Sequence, residues 1–271
     1  MPELPEVETT CRGIAGHLTG RLCLGATVRN GRLRWPVAPD LSAHLAGQRL
    51  REVRRRAKYL LFVFDRGTLI VHLGMSGSLR VLTENFPPEK HDHVDLLFDD
   101  GMLLRYRDPR RFGAMLWTES DPLTHPQLKH LGPEPLSSAF TPEHLAAGLA
   151  GKKIAIKPAI MDQRIVVGVG NIYASEALFR AGILPHRAAA SLAPPEIARL
   201  CESIRAVLEE SIAAGGSTLR DYVDSDGKAG YFTVNSFVYA RAGETCRICA
   251  TPIRSAKLGQ RTTFWCPHCQ H

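Results

Sequence analysis

The chain has 271 residues, enough for one large domain or two modest ones with cores of their own. Its 44% hydrophobic and 23% charged residues are ordinary globular values and exclude wholesale disorder. The net charge of +7 suits a phosphate polymer or an anionic surface without selecting between them. No run is long and apolar enough to span a bilayer, and the acidic start lacks the basic and apolar regions of a secretory signal. A cytoplasmic protein without membrane contact is therefore expected.

Residues Pro2 to about Leu18 carry apolar side chains at 4, 7, 11, 14 and 18, the three-four spacing of an amphipathic helix. Glu3, Glu6 and Glu8 occupy its first turns, where carboxylates suit the helix dipole. From Gly20 to about Trp117 the pattern changes to short β-rich runs, including 59–64, 68–73, 94–98 and 102–106. Asp65-Arg66-Gly67 and Asp99-Asp100-Gly101 supply hairpin turns between them, so an antiparallel sandwich or barrel is expected. Residues 119–142 are dense in Pro, Ser and Thr and read as a linker.

The second half is helical. Asn171 is suited to cap a helix running to Ala181, with Gly182 ending it. Pro194-Pro195-Glu196 opens another, with Ile197, Leu200, Ile204, Val207, Leu208 and Ile212 on one face before Gly215-Gly216 stops it.

At the C-terminus stand Cys246-x2-Cys249, sixteen residues, then Cys266-x2-Cys269. That spacing suits a structural zinc site, in which each knuckle supplies two thiolates and four sulfurs close the tetrahedron. Two disulfides or a redox pair are the alternative, disfavoured by a cytoplasmic setting and the lack of a βαβ pattern. Cys11, Cys23 and Cys201 are scattered and read as buried thiols. Arg254, Lys257 and Arg261, with Arg241 and Arg247, face only Glu244 in this segment, and Gly259-Gln260 reads as a hairpin turn entering a strand. A basic tip on a metal-held hairpin suits phosphate contact.

Chemistry is suggested at the other end. A small second residue allows removal of the initiator Met, which would leave Pro2 as a secondary α-amine. Such an amine titrates near ~8, far below lysine near ~10.4, and attacks a sugar C1′ or an aldehyde to form an iminium. Adjacent Glu3 is placed to move protons. From these residues alone, a proline that merely starts a helix is the simpler account. Two basic blocks, one of Arg51, Arg54, Arg55, Arg56 and Lys58, the other of Arg105, Arg107, Arg110 and Arg111, read as strand faces open to a phosphate track. Val167-Gly168-Val169-Gly170-Asn171 could dock a phosphate at a helix start but lacks the Walker pattern. The loops Gly74-Met75-Ser76-Gly77 and 108–113 each expose bulky residues between turn formers. Met75, Arg110 and Phe112 are suited to fill the vacancy left by an extruded base.

Together, Met1-Pro2-Glu3-Leu4-Pro5-Glu6, the run Arg56-Ala57-Lys58-Tyr59, the loops 72–77 and 108–113, His91-Asp92-His93, the stretch 168–176 and the finger resemble the bacterial formamidopyrimidine-DNA glycosylases, in order and from end to end. The resemblance implies excision of oxidised purines, chiefly 8-oxoguanine and formamidopyrimidines, from damaged duplex DNA, followed by β,δ-elimination at the abasic site. It implies an α+β fold: an N-terminal helix and β-sandwich, a helix–two-turns–helix module, and a zinc-finger hairpin. The corresponding division is 1–134, a linker 135–152, the module with its lid 153–235, and the finger 236–271.

It also implies roles. Pro2 is the Schiff-base nucleophile, Glu3 the general acid/base, and Lys58 serves β-elimination and contacts phosphate. Met75, Arg110 and Phe112 fill the gap, with Arg110 reading the opposing cytosine. His72, His91, Lys153, Asn171, Tyr239 and Arg261 hold the DNA backbone. Arg261 is also a family candidate for donating the proton of the second elimination, although a guanidinium is a poor acid and phosphate clamping suits it better. The segment 217–231 is the lid over the flipped base, read by the amides of Leu219, Arg220, Asp221 and Tyr222. One structural zinc on Cys246, Cys249, Cys266 and Cys269, no catalytic metal or organic cofactor, and a monomer are expected.

Two positions depart from the family pattern: Ala240 stands where glycine is usual before Arg241, and Arg220 where lysine is also seen. An endonuclease VIII-like enzyme acting on oxidised pyrimidines is the nearest alternative, against which Leu4 and the 72–77 loop speak. A non-catalytic DNA-binding protein using the finger alone is the other.

Overall fold

A computed structural model of the protein describes residues 2–83, 86–215 and 236–271. Its contacts divide the chain into two compact units, one holding residues up to Lys129, the other holding 130–214 and the C-terminal segment.

The first unit opens with α1 (Leu4–Leu18), whose predicted stripe of Leu4, Val7, Cys11, Ile14 and Leu18 is buried. It is followed by β1 (Leu22–Val28), α2 (Leu41–Leu45), β2 (Gln48–Arg56), β3 (Tyr59–Phe64), β4 (Thr68–His72), β5 (Ser78–Leu82), β6 (Asp92–Phe98), β7 (Leu103–Arg107) and β8 (Ala114–Thr118). All eight strands pair antiparallel, in the order β5-β7-β6-β1-β2-β3-β4-β8. The pairing of β1 with β2 involves only Leu22–Arg49 and Cys23–Gln48, so the sheet is two four-stranded halves joined by a short seam. Val7, Ile14, Phe62, Phe98 and Tyr106 share one core, into which the alternating inward positions of both halves point. Both predicted hairpin turns form, with Phe64 N–H donating to Gly67 O at 2.8 Å and Asp100 and Gly101 at positive φ of 57° and 73°.

The second unit contains α3 (Pro142–Leu149), α4 (Ile156–Ile160), α5 (Asn171–Arg180), α6 (Pro194–Ala213) and a hairpin of β9 (Arg254–Leu258) and β10 (Arg261–Trp265). Helix α3 follows the Pro-, Ser- and Thr-rich stretch 119–142, sharing only Pro142 with it: Thr141 Oγ1 caps it at His144 N, and Leu145 and Leu149 are buried where it packs on α6. Pro142 stands at the first helical position, where its missing N–H costs the helix nothing. Helix α6 buries Ile197, Leu200, Ile204, Val207 and Leu208 as its period requires. At its last turn Ser211 faces inward in place of Ile212, its hydroxyl 2.6 Å from the buried Tyr173 hydroxyl.

Helix α5 corrects one expectation. Gly170, not Asn171, is its N-cap, and Asn171 is its first residue. The Asn171 amide bonds across to the finger hairpin, so it has no part in capping. Among the described residues no helix is long and apolar enough to cross a membrane.

Candidate active site and nucleic-acid interface

The N-terminus is held from below. Glu3 is the N-cap of α1 and is 2% exposed, and its backbone N–H donates to the Glu6 carboxylate at 2.8 Å. Glu6 is itself buried, and Pro2 is buried beside it. A buried carboxylate clamping the amide that follows Pro2 fixes where the ring nitrogen sits, so a nucleophile there is preorganised by the helix start.

Lys58 is buried at the tip of the β2–β3 hairpin, a two-residue turn in which Ala57 takes a φ of +54°. A left-handed alanine is costly by about 1 kcal/mol, and such strain persists where the surroundings dictate the geometry. Arg55 holds the turn by donating to Ala57 O at 2.9 Å. On the neighbouring strand His72 lies 4.8 Å from the Tyr59 ring, and its Nδ1 accepts the Gly74 N–H at 3.0 Å. Its remaining nitrogen must then carry the proton, which makes it a donor. Burial first, then the nearby Lys58 and Arg34 cations, push the His72 pKa down to about 4, so the ring is neutral at physiological pH.

Asp108 organises the two loops that carry Met75, Arg110 and Phe112. It is fully buried. Its Oδ1 accepts from Ser76 Oγ at 2.7 Å and Arg110 N at 3.2 Å; its Oδ2 accepts from Gly113 N at 2.9 Å and the Tyr106 hydroxyl at 3.0 Å. Asp108 N–H donates to His91 O at 3.1 Å, and Asp108 O lies 2.9 Å from His93 Nε2. A Cβ on Gly113 would fall 1.8 Å from the Tyr106 hydroxyl, and one on Gly74 2.5 Å from the Phe112 carbonyl carbon and Gly113 N, so both loops need glycine for close approach. They display apolar side chains to solvent: Met75 is 38% and Phe112 45% exposed, with the Arg110 guanidinium 4.7 Å above the Phe112 ring. A rigid base carrying exposed wedges is the geometry expected of side chains that enter a base stack.

In the second unit three predicted residues come together. Asn171 Nδ2 donates to Thr262 O at 3.1 Å, next to Arg261 at the exposed start of β10, and Tyr239 packs edge-on to Phe264 with ring centroids 5.3 Å apart. Two residues to which the sequence reading gave no role set this group. Lys157, 1% exposed, donates to Asn171 Oδ1 at 2.6 Å and Thr263 Oγ1 at 2.9 Å. Buried Glu176 accepts the N–H groups of Phe237, Val238 and Tyr239 at 2.8 to 3.0 Å, anchoring the chain where it leads into the finger. A charge inside an otherwise apolar helix run was the signal available for each. Lys153 is exposed, and the described contacts do not join it to this group. The lid positions Leu219, Arg220, Asp221 and Tyr222 lie outside the described residues.

The four finger cysteines fit a zinc ion. Their sulfurs all lie within 4.8 Å of one another, with Cys246–Cys269 at 3.9 Å and Cys249–Cys266 at 3.5 Å. A zinc–sulfur bond of about 2.3 Å sets tetrahedral edges near ~3.8 Å, whereas a disulfide needs ~2.05 Å. Ile248 N–H and Cys269 N–H point at Cys246 and Cys266 Sγ at 3.5 and 3.4 Å, stabilising thiolates. One structural zinc belongs here; when bound it ties both knuckles to the hairpin and, with no open position, takes no part in chemistry. Cys11 and Cys23 are buried thiols as expected, pushed up to about 12 and about 11 by burial.

The two basic blocks are corrected in part. Arg51 pairs with Asp65 at 2.6 Å, Arg55 with Glu8 at 2.8 Å, Arg105 with Asp95 at 2.9 Å, and Arg107 with Asp92 at 3.4 Å and Glu89. These arginines hold strands and the helix together, because their carboxylates lie on neighbouring elements and not beside them in the chain. Arg110 and Arg111, past the end of β7, make no such pair among the described residues.

Comparison with known proteins agrees with this arrangement. Residues 1–115 match the formamidopyrimidine-DNA glycosylase N-terminal domain, 131–223 its H2TH domain, and 243–271 the zinc finger found in FPG and IleRS. The chain is 57% identical over 270 residues to a formamidopyrimidine-DNA glycosylase of Methylococcus capsulatus and 58% over 270 residues to one of Escherichia coli, each covering 100% of both chains. Among solved structures it is similar to the MutM (Fpg) protein of Thermus thermophilus, at 40% identity and a TM-score of 0.89 over 99% of this chain and 98% of that one. It is also similar to Lactococcus lactis Fpg in complex with DNA containing an abasic site, at 34% identity and a TM-score of 0.91 over 99% of each chain.

Proposed function

Since the chain belongs to the formamidopyrimidine-DNA glycosylase family, a DNA glycosylase and abasic-site lyase of base-excision repair, we propose that it removes oxidised purines from duplex DNA through an N-terminal proline Schiff base. Loss of Met1 frees the Pro2 amine, whose nitrogen attacks C1′ of the damaged nucleotide as the bond from C1′ to the base breaks. Glu3 gives a proton to O4′ as the C1′–O4′ bond opens with its electron pair, and the resulting C1′ iminium draws electrons from C2′ once its proton is lost. The 3′ and then the 5′ carbon–oxygen bonds break by β- and δ-elimination, each phosphate leaving with its bonding pair. Lys58 serves the first elimination and a neighbouring phosphate. Arg261 clamps phosphate and, its guanidinium being a poor acid, is the lesser candidate for the second proton.

Neutral His72 and, with it, His91, Lys153, Asn171 and Tyr239 hold the backbone. Met75, Arg110 and Phe112 occupy the space left by the flipped nucleotide, and Leu219 to Tyr222 cover the base. In this reading residues 1–134 carry the chemistry, 153–235 and 236–271 grip the duplex, and 135–152 joins them. The enzyme acts as a cytoplasmic monomer on nucleoid DNA.

The observation that carries the reading is the pairing of a buried Pro2–Glu3 start, clamped by Glu6, with rigidly mounted exposed wedges at Met75 and Phe112. Incubation with duplex containing 8-oxoguanine opposite cytosine, borohydride reduction and mass spectrometry should place the adduct on Pro2. An adduct formed only with oxidised pyrimidines, or none with Met1-processed protein, overturns it.

A further inference from the structure

Beside Arg110 and Phe112 the first unit holds a basic surface whose other arginines none of these roles uses. A cavity of about 660 Å³ is lined by Arg32, Arg34, Arg110, Arg111 and Phe112, and no acidic side chain lines it. Arg29, Arg51, Arg55, Arg105 and Arg107 of the same unit each hold a carboxylate. Among the described residues no carboxylate reaches the four arginines of the cavity. Like charges gathered without counter-ions repel one another, so the arrangement costs stability unless a polyanion enters.

The cavity wall is built and held. Arg111 sits at a φ of +57°, a left-handed conformation that costs a non-glycine residue about 1 kcal/mol, and its N–H donates to Asp108 O at 3.2 Å. Arg34 N–H donates to Gly113 O at 3.1 Å, tying the segment after β1 to the wedge loop. The Arg34 guanidinium lies 4.7 Å over the Trp35 ring, which limits its rotamers while leaving its N–H edges free for an oxygen ligand. Arg32 is exposed at the rim, where its N–H donates to Asn30 Oδ1 at 3.1 Å.

We propose that Arg32, Arg34 and Arg111 form a subsite for backbone phosphates of the strand opposite the lesion. The assignment rests on the proposed function above. There Arg110 faces the orphaned base and Phe112 enters the stack beside it. These two residues form a wall of the same cavity, so the phosphates nearest the other three arginines flank the orphaned base. The subsite acts by charge and fork geometry, clamping the undamaged strand while the damaged nucleotide is turned out.

The test measures duplex affinity against salt for wild type, R32A/R34A and R32K/R34K, with 8-oxoguanine opposite cytosine. Loss of two phosphate contacts should lower the slope of log K against log salt by about 1 to 2 and weaken binding at low salt by on the order of tenfold or more. R32K/R34K should keep the slope, which separates charge from a folding defect. Methylphosphonates flanking the orphan cytosine should weaken wild type but add nothing to R32A/R34A, whereas those in the lesion strand should weaken both alike. An unchanged slope in R32A/R34A overturns the subsite, and additive losses with the opposite-strand methylphosphonates overturn its strand. Borohydride trapping of wild type, run in parallel, judges the chemistry separately: no Pro2 adduct with an altered slope defeats the repair reading while leaving a duplex-binding surface.

Discussion

The Gly113 N–H donates to Asp108 Oδ2 at 2.9 Å, closing a turn over 108–113 whose outer edge is Arg110, Arg111 and Phe112. Tyr106, whose hydroxyl donates to the same oxygen, is pushed up in pKa by burial and by the Asp108 charge, so it remains a donor. One oxygen with two fixed donors is a sensitive point.

Asp108→Asn should therefore destabilise the first unit by about 2–3 kcal/mol, because an amide NH₂ at either oxygen sets donor against donor. Denaturant melts would read the loss. The opposite-base preference should relax in parallel, since Arg110 stands on this turn; a variant with wild-type stability and wild-type preference contradicts the role.

His72 sets a pH window. Its folded pKa of about 4 lies below the unfolded value near ~6.5, so the folded chain binds fewer protons there. The contribution is complete above about 6.5 and is lost as pH falls through 4. A His72→Gln variant should show a flatter loss of stability over that interval, and titration of the ring by NMR should find it neutral at pH 6. A ring that protonates near 6.5 would remove the argument.

Chelating the zinc should abolish DNA binding before anything else, since four thiolates hold the hairpin that carries Arg261. Affinity should fall at least tenfold and return with added zinc, while the strand signal of the first unit persists in circular dichroism. Apo protein that still binds duplex at full affinity would contradict a clamp built on the finger.

Ala240 occupies a φ of +60°, a conformation natural to glycine. Ala240→Gly should raise the stability of the second unit by about 1 kcal/mol. Thermal melts would show it, and a lower melting temperature would mean that the left-handed geometry is not what the family glycine serves.

Pro2→Ala with complete removal of Met1 should depress strand cleavage and borohydride trapping strongly while leaving duplex affinity within about twofold, because a primary amine at that place changes the chemistry and not the grip. A large affinity loss would reassign Pro2 to binding.

Much of this was legible along the chain. The stripe at 4, 7, 11, 14 and 18 gave α1 because helix periodicity is local, and Asp65-Arg66-Gly67 gave its turn for the same reason. The cysteine spacing was enough for the metal, since each knuckle is itself a local unit. Motif order carried the family, and through it the functional reading. The helix at 142–149 went unread, and capping preference failed at Asn171, whose side chain turned to the finger.

By itself, then, the order of residues determined what kinds of groups this protein owns: a proline–glutamate start, exposed wedges, basic loops and a thiolate cage. Which arginines remain available was decided only in three dimensions. Arg105 and Arg107 are spent on Asp95, Asp92 and Glu89, up to 18 positions away, while Arg110 and Arg111, a few residues on, keep their charge. Strand register places those partners, and register arises from burying a whole sheet face at once, which no local stretch of sequence contains.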